Sequence, residues 1–414
     1  MYNNSMKFIY LCGPTVYDKV HIGNMRPIVT FDLFIRAMRH LGDNITLIHN
    51  ITDIDDKIIA KSQELKISEE EVSETYFAFY KQMLSKFNIN SIIEMPKVVE
   101  NIDTIIGTIK QLEASDKVYL SGKSLYFDVK SIKSYGSLSN KKLDDYVNID
   151  KNVQDQKRNP EDFVVWKSKT EGSTWDSPWG QGRPGWHTEC MSFIDFFGQG
   201  KIDIHGGGID LKFPHHENED AQFVALHDRP ITKKWVHIGI MNLNGQKMSK
   251  SEKNILYADD FLTKDGNAHN ADIFRLILLN SNHKNTIEFT DQLYQDNFKK
   301  LSSVIKIYNL LSIQDNFVFS KIEDIENVLT NVQNLNFSAA MKEINEKIKS
   351  FNETKVIKIG NSLISIFKVL GFQFTDNIIS EEEKNIYQMW KKETSLKNWE
   401  RSDELRKMLS HILG

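Results

Sequence analysis

The residues best suited to chemistry stand in "PHHENED", where two histidines and three acids fall within six consecutive positions. His215 and Glu219 are four residues apart, so on a helix they share one face. The chain has two cysteines, Cys12 and Cys190. Two thiolates, an imidazole and a carboxylate suit zinc better than copper or iron. The cysteine spacing matches no zinc-finger pattern, so this site forms only if the folded sheet brings the four residues together.

Each part of that set also has a simpler interpretation. Histidines mixed with acids are ordinary on a solvated helix face, and two cysteines far apart in the sequence are ordinary as unrelated buried thiols. A solvated or supporting position is expected for the other titratable residues of the segment, His216, Glu217 and Asp220.

Two short stretches suit the binding of a polyphosphate. "HIGN" lies where the first predicted strand leads into the first helix, and a helix N-terminus there favours anions. His21 can donate to a phosphate, and Gly23 allows close approach to the backbone. In "NGQKMSKS" a turn signal precedes Lys247 and Lys250, whose charges suit a polyphosphate. The alternatives are a loop histidine with ordinary partners and a solvated surface loop.

A run of glycines offers a third candidate. "HGGGID" contains Gly206, Gly207 and Gly208. Without side chains these residues let a flat base or a ribose lie against the backbone. A tight turn without a ligand fits the run equally well.

These candidates need elements to position them, and the first such elements form a βαβ unit. A short apolar strand is predicted at 7–11, an amphipathic helix at 24–42 and a second strand at 44–51. The alternation resumes with a strand at 201–205, a helix at 215–227 and a strand at 234–240. This order predicts an α/β fold with a doubly wound, Rossmann-like parallel sheet.

The remaining segments indicate an insertion and a helical C-terminal region. Helical patterns fill about 68–115, irregular sequence with short strand-like pieces follows to about 185, and no strand pattern occurs beyond about 291. We predict five parts: 1–115, the first half of the α/β domain; 116–200, an insertion; 201–255, the second half of the α/β domain; 256–300, the region that follows it; and 301–414, a helical domain.

Composition narrows the class of protein. The chain has 414 residues, 40% of them hydrophobic and 26% charged, with a net charge of −4. No apolar run approaches the ~18 residues of a membrane span, so no membrane partner is expected. We expect a cytoplasmic protein without a structural disulfide. Nucleic acid would have to bind a local basic surface rather than an overall positive field.

Taken in order, the motifs resemble one family. "CGPTVYDKVHIGN", "NITDIDDKI", "YGSLS", "KRNPEDFVVWK", "GRPGWHTEC", "DIHGGGIDLKFPHHENE" and "KMSKS" appear in the order and spacing of cysteinyl-tRNA synthetases, a family of class I aminoacyl-tRNA synthetases. The resemblance covers nearly the whole chain and implies what the five parts are. They would be the two halves of a catalytic domain at 1–115 and 201–255, a connective insertion at 116–200, a stem-contact region at 256–300 and a helical domain of the anticodon-binding type at 301–414. The resemblance implies ATP-dependent activation of L-cysteine to cysteinyl-adenylate, followed by transfer to tRNA(Cys).

The resemblance also implies roles for individual residues. His21, Gly23, Asn24 and the glycines 206–208 would lie at ATP, with Lys247 and Lys250 stabilising the pyrophosphate and Mg2+ entering with the nucleotide. One zinc ion (Zn2+) per chain would bind the substrate thiol and so discriminate against serine. Its implied protein ligands are Cys12, Cys190, His215 and Glu219. The implied amino-acid pocket consists of Gly13, Thr52, Trp186, His205 and Asp210, in which Asp210 would pair with the substrate ammonium. We expect a monomer.

The sequence departs from the family pattern at three places. Asn24 replaces the last histidine of the family's signature, which we expect to alter nucleotide contacts without abolishing them. "SEKN" follows the lysine motif where the family has a leucine–glycine pair. The strand-rich tail after the last long helix is missing, so we expect adenylate formation to persist while tRNA charging weakens.

Two other functions remain open at this point. A paralogous ligase that joins activated cysteine to an amino sugar shares the catalytic half, although it would not need the "KNWERSDELRK" helix. A non-catalytic sensor of cysteine or zinc could retain the same core, although the intact lysines and ligand set argue against it.

Overall fold

The computed structural model describes residues 6–141, 157–248 and 254–413. The α/β part of the fold contains a parallel sheet of five strands. Their order across the sheet is β3-β2-β1-β8-β9. Its strands are β1 Lys7–Leu11, β2 Ile45–Ile48, β3 Ile92–Glu94, β8 Ile204–Gly208 and β9 Trp235–Ile238. The intervening strands β4–β7 belong to a second sheet, introduced below. The predicted doubly wound α/β fold is therefore confirmed.

The strand order changes direction beside β1. From β1 the chain proceeds outward through β2 to β3, whereas β8 and β9 lie on the other side of β1. In open parallel sheets a crevice opens outside the carboxyl ends of the strands at such a switch point. Cys12 directly follows β1, so the sheet delivers it to that crevice.

Five helices flank or connect these strands: α1 Ile22–His40, α2 Asp56–Leu65, α3 Glu69–Lys86, α4 Ile102–Ala114 and α5 Trp186–Phe197. α1 begins two residues before the predicted start, because Asn24 Oδ1 accepts a hydrogen bond from the His21 backbone N–H at 3.1 Å. That contact ties the residue before the helix to its first turn.

Two smaller sheets and further helices lie between and after the strands of the main sheet. An antiparallel sheet contains β4 Val118–Ser121, β5 Ser124–Phe127, β6 Phe163–Ser168 and β7 Gly182–Pro184. A three-stranded sheet contains β10 Met241–Leu243, β11 Gln246–Lys247 and β12 Ile287–Phe289. The helices near these strands are α6 Glu217–His227, α7 Ala258–Thr263 and α8 Asn270–Leu279.

The described residues of the C-terminal region form helices joined by loops and turns, without a strand. Its helices are α9 Asp291–Ile313, α10 Glu326–Gln333, α11 Phe337–Thr354, α12 Ile357–Val369, α13 Glu381–Ser395, α14 Trp399–Met408 and α15 Ser410–Leu413. Across all described residues, no helix combines the length and apolar content required to cross a bilayer.

The main sheet separates two apolar cores. Alternate residues of β1 point to opposite faces, so Ile9 and Leu11 join one core and Tyr10 joins the other. The first core is continuous from the sheet through α1 to the helical region, ending near Phe374. Removing the helical region would therefore expose the back of α1.

A buried ionic network reinforces that junction. Arg275 on α8 lies 2.7 Å from the Asp32 carboxylate of α1 and donates to the carbonyl of Leu370 at 3.1 Å. Arg36 reaches the same Asp32 oxygen at 2.7 Å, and Ser91 donates to the other carboxylate oxygen. One acid of α1 thus links the α/β and helical regions.

Two sequence predictions of local structure were wrong. The strand predicted at 201–205 lies at Ile204–Gly208 and includes the glycine run. A Cβ on Gly206 would fall 2.5 Å from the Phe31 ring, so close packing of the strand on α1 requires glycine. The helical stretch predicted across 68–115 is interrupted by β3, the edge strand of the main sheet.

Candidate metal and nucleotide site

Four potential metal ligands converge at the switch point of the sheet. Cys12 follows β1, Cys190 lies in α5, His215 precedes α6, and Glu219 lies in the first turn of α6. One ligand atom from each of these residues lies within 4.8 Å of the others, in a buried position. The structure therefore brings together residues as far apart as 12 and 219.

This donor set fits a zinc ion. Ligand atoms about 2.0–2.3 Å from a tetrahedral zinc are separated from one another by roughly 3.3–3.8 Å, and the four ligand atoms here all lie within 4.8 Å of one another. His215 Nε2 is buried and makes no well-directed hydrogen bond, although it lies 2.8 Å from Glu219 Oε1. A cation bound between this buried nitrogen and the carboxylate oxygen would satisfy both atoms.

The electrostatics of the cluster favour ligand ionisation. Burial raises the pKa of Cys190, but a hydrogen bond from Cys12 and the charge of His215 outweigh it and bring the pKa to about 6. Burial lowers the pKa of His215, yet Glu219 and Cys190 raise it to about 10. Burial raises the pKa of Cys12 well above its ordinary value. One thiolate is thus ready for a metal, and the second would lose its proton on binding.

Two further histidines, His205 and His216, contact the candidate metal ligands. His205 Nε2 lies 2.6 Å from the second oxygen of Glu219, and the His205 ring stacks on Trp235. His216 Nε2 lies 3.4 Å from Cys12 Sγ, while its other nitrogen contacts His237 at 3.0 Å. His216 is fully buried, so it supports a ligand and is not solvated. Such supporting contacts fix the orientation of metal ligands.

The remaining acids of "PHHENED" are also buried and anchor loops. Glu217 accepts hydrogen bonds from the backbone N–H groups of Gly136 and Ser139, at 2.8 and 2.7 Å. Asp220 accepts from the N–H of Ile231 at 2.8 Å. Neither acid occupies a solvated helix face. Glu217 connects the metal-ligand helix to the "YGSLS" segment, a role that no sequence pattern indicated.

A cavity of about 370 Å³ opens next to Cys12. The residues at the start of α1, His21, Gly23 and Asn24, line it together with Cys12. α1 has 19 residues and its N-terminus faces this cavity, so its unpaired N–H groups and dipole favour an anion there. One candidate metal ligand, Cys12, and the phosphate candidates therefore line the same cavity.

The lysine hairpin forms another part of the cavity lining. β10 and β11 pair through Asn242 and Lys247, so Lys247 ends the hairpin and lines the cavity. Its ammonium lies 3.3 Å from the Asp210 carboxylate, another lining residue. Lys250, the second predicted phosphate ligand, lies outside the described residues.

The predicted amino-acid pocket divides into residues on the cavity wall and residues behind it. Gly13 and Trp186 lie on the wall, and the Trp186 ring stacks on His215 with centroids 4.2 Å apart. A Cβ on Gly13 would fall 1.6 Å from the carbonyl oxygen of Asn50, so this crossing of two loops requires glycine.

Two of the predicted pocket residues lie behind that wall. Thr52 is buried and donates to Glu189 at 3.3 Å, and His205 holds Glu219 as described. Of the three predicted glycines, Gly208 lines the cavity, whereas Gly206 and Gly207 are buried in β8.

Sequence reasoning missed a buried pair at the cavity floor. His49, after β2, accepts from or donates to Tyr80 across 2.7 Å, and its other nitrogen lies 2.9 Å from the carbonyl of Leu11. Burial lowers the pKa of His49 to about 4, so the ring is neutral. The position of His49 just beyond the end of a parallel strand was the available signal.

Comparisons with known proteins place the chain among synthetases. Residues 2–299 match the family model of the class I (C) tRNA synthetase catalytic domain. The cysteine–tRNA ligase of Mycoplasmopsis pulmonis is 40% identical over 411 residues, covering 98% of this chain and 65% of the relative. The cysteine–tRNA ligase of Malacoplasma penetrans is 38% identical, covering 97% and 94%. That of Mesomycoplasma hyopneumoniae strain 232 is 42% identical, covering 98% and 96%.

Solved structures agree on the fold. A Mycobacterium tuberculosis methionyl-tRNA synthetase in complex with methionyl-adenylate superposes with a TM-score of 0.63 at 10% identity, covering 88% of this chain and 89% of that one. An Agrobacterium radiobacter K84 LeuRS in a ternary complex with tRNA and LeuAMS superposes with a TM-score of 0.67 at 10% identity, covering 90% and 85%. At these identities the likeness concerns the fold alone.

Proposed function

Because this chain belongs to the cysteine–tRNA ligase family of class I tRNA synthetases, we propose that it activates L-cysteine and charges tRNA(Cys). In the first step the cysteine carboxylate attacks the α-phosphorus of ATP, and pyrophosphate leaves. In the second step a hydroxyl of the terminal adenosine of tRNA attacks the carbonyl carbon of cysteinyl-adenylate, and AMP leaves. ATP, L-cysteine and tRNA(Cys) are the proposed partners, with Mg2+ bound to the nucleotide.

One observation carries this proposal: a single cavity is lined both by Cys12 of the ligand cluster and by the phosphate candidates His21 and Lys247. A substrate whose sulfur reaches the cluster would thus have its carboxylate within the space that a nucleotide can enter. Holding two reactants in one orientation is itself a large part of catalysis.

The residues around ATP act through position and charge. His21 and Asn24 stand at the positive end of α1, where they can donate to phosphate oxygens. Lys247 can neutralise charge that grows on the leaving pyrophosphate. Asp210, which contacts Lys247 at 3.3 Å, would exchange this partner for the substrate ammonium when both ligands bind.

The ligand cluster would provide selection against serine. When bound to the two cysteines, His215 and Glu219, zinc supplies a soft Lewis-acid position for a thiolate. An apolar pocket alone rejects such an analogue by only about a hundredfold, whereas translation needs ~10⁴ or more. Glu219 is the ligand that we propose to yield, because His205 Nε2, 2.6 Å from its second oxygen, would keep the released carboxylate paired.

Cysteine-dependent exchange of pyrophosphate into ATP tests the activity, and metal analysis tests the cluster. We expect about one zinc per chain in the wild type. The Cys190→Ala variant should lose both the metal and cysteine activation. Ser192→Ala is the matched control, because Ser192 is equally buried in α5 and its hydroxyl, among the described residues, donates to the carbonyl of Thr188. Full exchange activity in metal-free Cys190→Ala would refute the role of the cluster.

A further inference from the structure

Arg26 has an unusual environment inside α1. Its side chain is 1% exposed. One terminal nitrogen donates to the carbonyl of Ile240 at 2.6 Å, and the other donates to the carbonyl of Asn285 at 2.7 Å, with longer contacts to the carbonyls of Asn282 and His283. All four acceptors are backbone oxygens. The guanidinium is therefore satisfied as a donor without an opposing carboxylate among its described partners.

A buried cation without a counter-charge is costly to maintain. Burial lowers the pKa of Arg26 to about 10, and an apolar side chain of similar volume would avoid this cost. The planar fork of arginine has one property that no apolar residue offers, because it can fix several carbonyl groups in one geometry. The location of those carbonyls therefore indicates what Arg26 does.

The carbonyls come from the two segments that meet at the base of the lysine hairpin. Ile240 lies between β9 and β10, and the other acceptors lie in the loop from α8 to β12. These segments are tightly joined, since the Gly239 N–H donates to His283 at 2.8 Å and the Ile287 N–H donates to Ile240 at 2.9 Å. A Cβ on Gly239 would fall 2.3 Å from the oxygen of Asn285. Arg26 adds α1 to this junction.

Arg26 thereby connects two segments that both line the cavity. It lies five residues after His21, about 7.5 Å along the helix. From Ile240 the chain runs through β10 and β11 directly to Lys247. Met248 continues from the hairpin and is buried, with its terminal methyl 3.0 Å from where a Cβ on Gly23 would stand. The start of α1 and the hairpin are thus held together in two places, at Arg26 and where Met248 lies beside Gly23.

We infer that Arg26 is a positioning residue, which aligns the Lys247 hairpin with the N-terminus of α1 so that both can hold one polyphosphate. This inference rests on the proposed function for its catalytic consequence. Arg26 itself is buried beneath the cavity wall and does not line the cavity.

The Arg26→Lys variant tests the inference, because one ammonium keeps the charge but cannot reproduce the planar fork. We expect kcat for cysteine-dependent pyrophosphate exchange to fall about a hundredfold, the effect of a misplacement near 1 Å. The KM for ATP should rise, while the KM for cysteine and the zinc content remain unchanged. If the variant yields less folded protein but each folded molecule has wild-type kinetics, Arg26 has a structural role only.

Arg39→Lys is the matched control. Arg39 lies on the same helix and also donates to two backbone carbonyls, those of Ile45 and Ser91, at 3.0 and 2.8 Å. It does not line the cavity. Its variant should keep kcat within roughly twofold of the wild type. An equal loss of kcat in Arg26→Lys and Arg39→Lys would overturn the inference.

Hydrogen exchange in the absence of substrates separates this inference from the proposed function. Backbone amides of the hairpin, 241–247, should exchange faster in Arg26→Lys and unchanged in Arg39→Lys. MgATP binding, measured by equilibrium dialysis, should weaken in Arg26→Lys alone. If the wild type failed to exchange pyrophosphate, the proposed function would fall, whereas these two measurements would still decide on Arg26. If Arg26→Lys does not fold, Arg26→Gln is measured instead, and unchanged hairpin exchange there would overturn the inference.

Discussion

Replacing Asp32 with asparagine should destabilise the junction between the catalytic and helical regions. The substitution keeps the shape of the side chain and leaves an acceptor for Ser91. It removes the charge that opposes Arg275, whose side chain is 1% exposed. Burial raises the pKa of Asp32, but Arg275 and Arg36 lower it more, so the wild-type carboxylate is ionised at neutral pH. Leaving one partner of a buried pair uncompensated costs about 3–5 kcal/mol.

Thermal unfolding converts this cost into a measurable shift. An unfolding entropy of about 2.1 cal/mol/K per residue gives ~0.9 kcal/mol/K for 414 residues. The midpoint of Asp32→Asn should therefore fall by about 3–6 °C at neutral pH. Because the pKa of Asp32 is depressed in the folded protein, its contribution is present above the unfolded value near 3.9 and disappears as the pH falls through the folded value. The difference between variant and wild type should shrink in acid accordingly.

Asp43→Asn is the control, because Asp43 forms an ion pair of similar N–O distance whose side chains are more exposed. Asp43 lies 2.6 Å from Lys7, but the two side chains are 26% and 37% exposed. Solvent screening limits such a pair to about 0–1 kcal/mol, so the midpoint should move by no more than about 1 °C. Equal shifts in Asp32→Asn and Asp43→Asn, or no shift in either, would refute the assignment of the buried pair as a structural link.

Two further predictions concern buried acids near the site. Burial raises the pKa of Asp53 to about 6, so its stabilising contribution is complete below about pH 4 and is lost as the pH rises through about 6. Relative to the wild type, Asp53→Asn should therefore gain up to ~3 kcal/mol of unfolding free energy between about pH 4 and about pH 7 in denaturant titrations. A difference that stays constant with pH would contradict this. Glu217→Gln should cost about 1–3 kcal/mol, because one of the two N–H donors, Gly136 or Ser139, would face an amide NH2 group. Faster hydrogen exchange at 136–139 would reveal it, and wild-type protection would contradict it.

The site residues that the sequence indicated can be recognised from the chemistry of their side chains. Cys12, Cys190, His215 and Glu219 carry side chains whose chemistry is uncommon and specific, so grouping them needed only the assumption that a sheet brings them together. Arg26 could not be identified in the same way, because its partners are backbone carbonyls and every residue has one. Its position depends on the three-dimensional course of two distant segments.

Local rules failed where packing overrode propensity. Glycines 206–208 were placed after the predicted strand at 201–205, yet they lie in β8, and at Gly206 the Phe31 ring leaves no space for a Cβ. The strand β3 was missed because its three residues fall between long helical patterns. The overall α/β class was still predictable, since the βαβ pattern around α1 extends over many residues. The domain boundaries remain predictions.

The wide separation of the cluster's residues along the chain has a consequence for biosynthesis. Glu219 is the last of the four to leave the ribosome, after more than half of the 414 residues have been synthesised. Before that point a nascent chain offers only the two thiols and the His215 imidazole of this set, with α6 still incomplete. Loading of the proposed zinc at this cluster should therefore begin late in translation, after β1, α5 and the start of α6 have been synthesised.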